Sequence, residues 1–306
     1  MSFAGPWFAL ADNTVSNFSP VEPELNRVRT IDYVPLRSYT LNNVHPPDYG
    51  LDAPNVVRNL FIAGIACLIL SGTAILGFWS GNLVIGPLFG ITLIFPLKVA
   101  GLFPGITCSF MGLWMIWSSK VGKVQERERL MQQIEWKGDE QVLDIGCGRG
   151  LMLIGAAKHL TTGKATGIDK WQAEDLSGNR PEATLENARR EGVAERVQVR
   201  TADMKDLPFP DNTFDLVVSR AAIHNLYSPD DRAKAIDEIS RVLKPGGQAL
   251  ISDIRHGREY VKTFEVHGLK VVRRLESPFV AAFLAILTAG SLRPSTMLLR
   301  KGNTRS

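Results

Sequence analysis

Three glycines follow a short apolar run in VLDIGCGRG, residues 142–150, which gives this stretch the character of a ligand-binding turn. When a strand ends in such a turn ahead of a helix, backbone N–H groups point at the ligand, and glycine lets the ligand approach the backbone closely. Nucleotide-like ligands suit a turn of this kind. The turn alone does not decide between a dinucleotide and S-adenosylmethionine.

The spacing of the glycines separates these two ligands. They are Gly146, Gly148 and Gly150, whereas the dinucleotide fingerprint requires a glycine at position 151, which is Leu151. An acidic residue before a GxGxG turn, here Asp144, fits S-adenosylmethionine better. The pattern therefore favours S-adenosylmethionine as the cofactor.

Aspartates at the ends of three successive strands support this choice. Asp144 is placed to take the ammonium group of the cofactor, directly or through water, and Asp169 in GIDKW to accept both ribose hydroxyls. Asp203 in TADM is placed for the adenine amino group, with Met204 against the ring. The carboxyl ends of parallel strands meet in one crevice, so the three side chains are expected together. The predicted cofactor site also contains Cys147, Lys170, Trp171 and Ser219.

The segment SRAAIHNLYSPDD, after the fourth predicted strand, carries the candidate catalytic residues. His224 is predicted to be a general base, because its ordinary pKa near 6.5 suits proton transfer at neutral pH. Asn225 or Tyr227 would orient the substrate. The alternative is that His224 only positions the substrate, since methyl transfer from a sulfonium mostly needs alignment and a desolvated site.

The surrounding elements have the pattern of an α/β domain. The strands QVLDIG, KATGID, RVQVRTAD, FDLVVS and QALISDI alternate with helices such as PEATLENARREG, which begins with Pro181 and ends at Gly192. Strands that alternate with helices of this length predict βαβ units and a parallel sheet.

The motifs VLDIGCGRG, GID, TADM, LPFPDNTFDLVVS and RVLKPGGQALISD, in this order, resemble those of class I (Rossmann-like) S-adenosylmethionine-dependent methyltransferases. The chain is most similar to the ubiquinone/menaquinone-methyltransferase-like branch, over roughly residues 120–306. The resemblance implies a seven-stranded sheet that ends in an antiparallel β-hairpin, which LKVVRRL and STMLLRK fit. That branch acts on many small molecules, so the resemblance does not name the acceptor.

The preceding part of the chain has a composition typical of membrane proteins. Residues 60–79 are twenty residues without a charge, enough for a helix across the hydrocarbon layer. Residues 99–117 are nineteen more, ending in Trp114 and Trp117 and followed by several basic residues. The positive-inside rule puts this end, and the methyltransferase domain after it, on the cytosolic side of a membrane that the sequence does not identify.

Residues 83–97, between these two stretches, are apolar but contain two prolines. They form either a further span or a broken, re-entrant segment, so we expect two transmembrane helices, with three as the alternative. The predicted organisation is an irregular segment over 1–56, a membrane anchor over 57–118 and a methyltransferase domain over 119–306.

Two insertions in the predicted methyltransferase domain bear on its substrate. KWQAEDLSGNR, residues 170–180, forms either a rim or lid beside the cofactor, with Trp171 flanking the adenine, or a solvated loop. Residues 279–292 carry no charge and are too short for an ordinary span. They either dip into the membrane surface, cap the pocket or pack into the core.

Several function classes are disfavoured. The net charge of +4 comes from interleaved charges without a basic block, so nucleic acid is not an expected partner. The three cysteines, Cys67, Cys108 and Cys147, suggest neither a disulfide framework nor a metal site.

Taken together, these features predict a membrane-anchored methyltransferase acting on a small, lipophilic acceptor. Its rivals are a catalytically silent cofactor-binding scaffold and, with less support, a nucleotide-dependent oxidoreductase.

Overall fold

The computed structural model describes residues 46–88, 91–172, 174–288 and 290–303. All of them belong to one compact unit. Most of the segment predicted to be irregular, 1–56, lies outside the described residues. Its described part, 46–53, forms no regular helix or strand before the first helix begins.

Two apolar helices, α1 (Pro54–Ile75) and α3 (Leu102–Trp117), pack side by side. Between them lie the antiparallel strands β1 (Asn82–Leu88) and β2 (Ile91–Pro96), followed by the single turn α2 (Leu97–Ala100). The alternative of a third helical span over this stretch is therefore wrong. Its two prolines lack an N–H and disfavour a continuous helix, whereas pairing of the two strands satisfies much of the backbone.

The contact between α1 and α3 is made through small residues. A methyl group added to Gly64 would overlap Ser109, and one added to Gly112 would overlap the Phe61 ring, so the two helices approach closely. Small residues at such contacts are typical of helices that pack in membranes. The outward-facing side chains are apolar and exposed: Ile62, Ile69, Phe103, Phe110 and Leu113.

Two helices in the described part of the chain are long and apolar enough to cross a membrane, judged by length and composition. One is α1. The other is the continuous run Leu97–Met131, in which α3 passes through a π-helical turn, Ser118–Gly122, into α4 (Lys123–Met131). The last part of this run is polar and packs against the α/β domain.

The α/β domain contains seven strands and five further helices. The strands are β3 (Gln141–Ile145), β4 (Lys164–Asp169), β5 (Val197–Thr201), β6 (Phe214–Arg220), β7 (Leu243–Asp253), β8 (Leu269–Arg274) and β9 (Ser295–Lys301). The helices are α5 (Leu151–Ala157), α6 (Pro181–Arg190), α7 (Pro229–Val242), α8 (Gly257–Val266) and α9 (Pro278–Leu287). Pro181 occupies the first turn of α6, as predicted.

The seven strands form one mixed sheet in the order β5-β4-β3-β6-β7-β9-β8. Strands β3 to β7 run parallel to one another, and β9 runs antiparallel between β7 and β8. The predicted seven-stranded sheet with a terminal antiparallel pair is confirmed. Because the order reverses at β3 and β6, the crevice outside their carboxyl ends is the expected ligand site.

Candidate active site

The glycine turn connects β3 to α5 and adopts a backbone that favours glycine. Gly146, Gly148 and Gly150 have φ of 70°, 53° and 86°, in the left-handed region where side chains are disfavoured. A methyl group on Gly146 would overlap that of Ala222, which lies just after β6. The turn is therefore packed directly against the segment that carries His224.

Asp144 lies in β3 and is almost completely buried. Its carboxylate accepts the Leu153 N–H at 2.8 Å, which anchors the first turn of α5. Burial raises the pKa of Asp144 to about 8, the Leu153 N–H opposes this, and the nearby Asp169 adds to it. A cation bound beside this carboxyl would favour its ionised form again.

Asp169, at the end of β4, accepts three N–H groups. They come from the backbones of Gly148 (2.8 Å) and Trp171 (2.6 Å) and from the Asn179 side chain (3.2 Å). The Asn179 amide also donates to Gln172 O at 3.3 Å. Its own oxygen is buried and has no hydrogen-bond partner among the described residues. An acceptor without a donor thus lies beside Asp169.

The third aspartate, Asp203, lies just beyond β5. It pairs with the Lys170 ammonium at 2.8 Å and accepts the Lys205 N–H at 3.0 Å. Burial opposes ionisation, but these two donors hold the pKa of Asp203 below its usual value. The Trp171 indole donates to Thr201 at 2.8 Å, so its ring lies alongside the end of β5.

Three other predicted cofactor residues use their side chains in packing. Cys147 is buried, and a methyl group on Gly167 would lie 2.8 Å from its Sγ. The Ser219 hydroxyl donates to Ile145 O at 3.0 Å and joins β6 to β3. Met204 packs against the core on the other side of the sheet.

His224 lies in a 3-10 turn, Ile223–Asn225, directly after β6. Its Nδ1 is 2.5 Å from a carboxylate oxygen of Asp253, the last residue of β7, and its backbone N–H donates to the other oxygen at 3.0 Å. Asp253 is buried and also accepts the Ile254 N–H at 2.8 Å and the Tyr260 hydroxyl at 3.3 Å. The imidazole is thus held in one orientation by a fixed carboxylate.

Asn225 and Tyr227, the two residues predicted to orient the substrate, differ in their surroundings. Asn225 donates its amide N–H to Asp175 at 3.0 Å, which connects it to the insertion over residues 170–180. The Tyr227 side chain is 98% exposed and points away from this cluster. The structure therefore does not bring Tyr227 to His224, because the 3-10 turn ends at Asn225 and the chain then leads outward into α7.

The described residues of that insertion, 170–172 and 174–180, form what we call the rim loop. It is hydrogen-bonded to residues 48–53, which we call the strap. Ser177 and Leu51 exchange two bonds, at 2.8 and 3.1 Å, and Ala53 N–H donates to Asp175 O at 3.0 Å. Leu176 in turn covers Gly148. The strap thus holds the rim loop against the glycine turn, while several residues of the loop, among them Gln172 and Glu174, are exposed to solvent.

Sequence reasoning missed four residues of this cluster: Asp253, Tyr260, Asp175 and Asn179. Asp253 could have been found from the sequence, because it lies at the carboxyl end of the fifth predicted strand. The same position at other predicted strands singled out Asp144 and Asp169. The other three depend on how loops and α8 pack, which no local pattern encodes.

Residues 143–251 match the family model described as "Methyltransferase domain". This match identifies residues 143–251 as a methyltransferase domain. The matched range begins in β3 and ends in β7, so it contains the glycine turn, Asp169, Asp203 and His224.

Curated relatives of this methyltransferase domain act on different acceptors. The demethylmenaquinone methyltransferase of Lactiplantibacillus plantarum is 37% identical over 123 residues, covering 40% of this chain and 48% of the relative. The sterol 4-C-methyltransferase of Caenorhabditis elegans is 31% identical over 147 residues, covering 48% and 40%. The chain spans about half the length of the curated relatives it matches.

One solved structure similar to this chain is geranyl diphosphate C-methyltransferase from Streptomyces coelicolor A3(2), in complex with Mg²⁺, geranyl diphosphate and S-adenosyl-L-homocysteine. The TM-score is 0.46 with 18% identity, over 58% of this chain and 78% of the other.

The cofactor of the methyltransferase domain is S-adenosylmethionine, and the residues present fit it. The buried Asp144 would hold the ammonium group. A carboxylate offers about four acceptor sites, of which Asp169 already uses three. The unpartnered oxygen of Asn179 supplies a further acceptor for a ribose hydroxyl. Asp203 would accept the adenine amino group, the role predicted for it from the sequence.

Proposed function

We propose that this protein is a membrane-anchored methyltransferase that methylates a small, lipophilic acceptor, with His224 as the base that removes the acceptor's proton. The observation that carries the catalytic part is the 2.5 Å contact between His224 Nδ1 and the buried Asp253, directly beside the glycine turn. S-adenosylmethionine, when bound, supplies an electrophilic methyl group on a sulfonium.

Asp253 suits His224 to proton removal. With Nδ1–H directed at Asp253, the other ring nitrogen, Nε2, carries the lone pair that accepts a proton. A buried carboxylate then stabilises the imidazolium that forms, as in other histidine–aspartate pairs. An acceptor hydroxyl whose proton moves to Nε2 becomes the better nucleophile. This argument favours an oxygen acceptor over a carbon that carries no acidic proton.

The membrane part of the proposal rests on where the apolar helices join the domain. The strap that holds the rim loop continues directly into α1, and α3 continues into α4, whose Glu126 pairs with Arg220 at the carboxyl end of β6 at 2.8 Å. Both helices thus join the domain at the edge of the sheet that carries the candidate active site. A lipophilic acceptor would have a short path from a bilayer to His224.

The acceptor class agrees with the relatives, whose names include a menaquinone precursor and a sterol. Lys120 and Lys123, with Arg127 and Arg129, follow the aromatic end of α3. By the positive-inside rule this favours the cytosolic side for the methyltransferase domain.

The test is product formation by the purified full chain in lipid nanodiscs, supplied with methyl-labelled S-adenosylmethionine and fractions of a lipid extract. We expect label in a lipid-extractable product and release of S-adenosylhomocysteine. The His224→Gln variant, with unchanged cofactor binding, should lower kcat by about 10²-fold or more. No product from any lipid fraction, with cofactor bound, would favour the silent scaffold. An unchanged kcat in the variant would remove His224 as the base.

A further inference from the structure

Helix α9 exposes an apolar surface outside the two candidate spans. The exposed fractions of Phe279, Val280 and Ile286 are 85%, 55% and 82%. No charged residue lies between Pro278 and Leu292. The helix has 10 residues, so at 1.5 Å per residue it is too short to cross a bilayer. The alternative that this insertion packs into the core is wrong for these three side chains.

Both ends of the α9 insertion are held at the active-site edge of the sheet. Arg293 N–H donates to Ile254 O at 2.9 Å, one residue beyond Asp253, and Leu275 N–H donates to Thr296 O at 2.8 Å. Arg273, just before the insertion, donates to Gln133 at 2.9 Å, at the end of the helical run that begins with α3. The base of the insertion therefore contacts the domain end of the helical run that leads from α3 through α4.

Exposed arginines surround the base of α9. They are Arg255, Arg258, Arg273, Arg274 and Arg293. Of two acids near them in sequence, one pairs outside this group and one neutralises a single member of it, Arg274. Glu259 pairs with Arg232 at 2.8 Å, and Glu276 pairs with Arg274 at 3.2 Å and accepts the Thr296 N–H. The surface thus combines an apolar helix with a surplus of guanidinium groups.

We infer that α9 and these five arginines form a docking surface for an anionic phospholipid bilayer. The apolar side chains of α9 would lie among the acyl chains at the interface, and the guanidinium groups would bind headgroup phosphates, which suit their forked geometry. The inference rests on the proposed function for the anchor that brings α9 to the membrane. It adds a second point of contact, on the other side of His224 from the strap, so that the acceptor pocket opens onto the bilayer.

Depth-dependent quenching tests this surface in the full chain. Cys67 and Cys108 are replaced by alanine, and the buried Cys147 is kept. A single cysteine is then introduced as Phe279→Cys, as Ile62→Cys on α1, or as Val266→Cys. Val266 is a matched control, because it is 83% exposed but lies at the end of α8 that leads to the opposite edge of the sheet. Each variant is labelled with an environment-sensitive fluorophore in nanodiscs of phosphatidylglycerol and phosphatidylcholine.

Lipids with a spin label on the acyl chain should quench the fluorophore at positions 62 and 279 and leave that at 266 unchanged. Quenching at 62 with none at 279 would overturn the docking surface and leave the anchor intact. An absence of quenching at 62 would instead count against the anchor in the proposed function. Binding of S-adenosylhomocysteine, measured for every variant, shows that the variant is folded.

The arginines are tested on the Phe279→Cys background. The pair Arg255→Gln and Arg293→Gln should remove most of the quenching at 279, and so should nanodiscs of phosphatidylcholine alone. Lys270→Gln is the control, since Lys270 is exposed near the start of β8, at the opposite edge. Quenching that does not respond to either the arginines or the lipid charge would overturn the binding of anionic headgroups.

Discussion

Two buried carboxylates lie on either side of the glycine turn and have different numbers of donors. Asp253 accepts hydrogen bonds from the His224 ring and backbone, from Ile254 and from Tyr260. Asp144 accepts only the Leu153 N–H among the described residues, and burial raises its pKa to about 8. Asp253 therefore holds the imidazole of His224 in the ligand-free protein. Asp144 has no cationic partner among the described residues, and the ammonium group of the cofactor would supply one.

The raised pKa of Asp144 predicts how cofactor affinity depends on pH. Below pH 8 the carboxyl is protonated and must lose its proton to pair with an ammonium group. The affinity for S-adenosylhomocysteine, which carries the same group, should therefore rise by up to about tenfold per pH unit between pH 6 and 8. Isothermal titration calorimetry measures this slope. Asp144→Asn should bind more weakly and lose the slope, and a slope retained in that variant would contradict the pairing.

The same raised pKa has the opposite effect on the stability of the ligand-free protein, which we expect to fall as the pH rises. In the folded, ligand-free protein Asp144 keeps its proton up to about pH 8, whereas in the unfolded chain it loses it near 3.8. The folded state binds more protons over this range, so this group lowers stability as pH rises from about 4 to 8. Without ligand, Asp144→Asn should have a higher Tm than the wild type at pH 8, with a smaller difference at pH 5.

Replacement of Asp253 tests the orientation of His224. Asp253→Asn keeps the size of the side chain but removes the charge that favours Nδ1–H and stabilises the imidazolium, so kcat should fall by about 10²–10⁴-fold with KM little changed. Tyr260→Phe is the control, because it removes only the 3.3 Å bond to Asp253. We expect it to change kcat by less than about threefold. Equal losses in both variants would point to a general disturbance of this region.

At the scale of elements, the strap connects the first apolar helix to the cofactor crevice. The Lys123 ammonium is buried beneath it and donates to Tyr49 O at 2.9 Å, to Gly50 O at 3.0 Å and to Asp52 at 2.7 Å. The strap in turn holds the rim loop, whose Asn179 and Trp171 contact Asp169. The position of the rim loop thus depends on a lysine at the start of α4.

Lys123→Met should loosen the rim loop. It leaves two carbonyls and one carboxylate without their donor, which we expect to cost about 1–3 kcal/mol of stability and to speed release of S-adenosylhomocysteine. Lys120→Met is the matched control, because the Lys120–Asp48 pair is half exposed on both sides and contributes little. Stopped-flow displacement measures the release, and hydrogen exchange follows residues 174–180. Similar release rates in the two variants would show that the strap does not restrain the loop.

The elements of the α/β domain could be predicted from sequence because each has a local signal. Alternating apolar residues mark the strands, and proline marks the start of α6, so the sheet and the three predicted aspartates were placed correctly along the chain. The β1–β2 hairpin could not be predicted, since a fifteen-residue apolar run with prolines has the same composition whether it forms strands or a broken helix.

The position of the strap could not be predicted either, because its hydrogen bonds to Ser177 and Asn187 join residues 126 and 139 positions apart.

At the scale of the whole molecule, the start of α1 and the end of α3 both meet the methyltransferase domain. Asp52, just before α1, pairs with Lys123, just after the π-helical turn that follows α3. The turn after α1 and the β1–β2 hairpin therefore lie at the far end of the pair. Near the domain, the Trp114 and Trp117 rings lie tilted by 36° with centroids 5.1 Å apart and precede a basic stretch. At the far end, Lys98 is the one charged residue among the described residues from 76 to 101.

This arrangement predicts that the far end and the domain lie on opposite sides of the membrane. In the background without Cys67 and Cys108, Ser80→Cys marks the exposed turn after α1, and Val266→Cys marks the domain. In sealed vesicles whose cytosolic face is outward, a membrane-impermeant maleimide should label position 266 at once and position 80 only after detergent is added. Helices of α1 length span about 33 Å at 1.5 Å per residue, enough to separate the two positions. Labelling of both positions in intact vesicles would mean that the helix pair lies along one face, and the proposed anchor would then be a surface attachment.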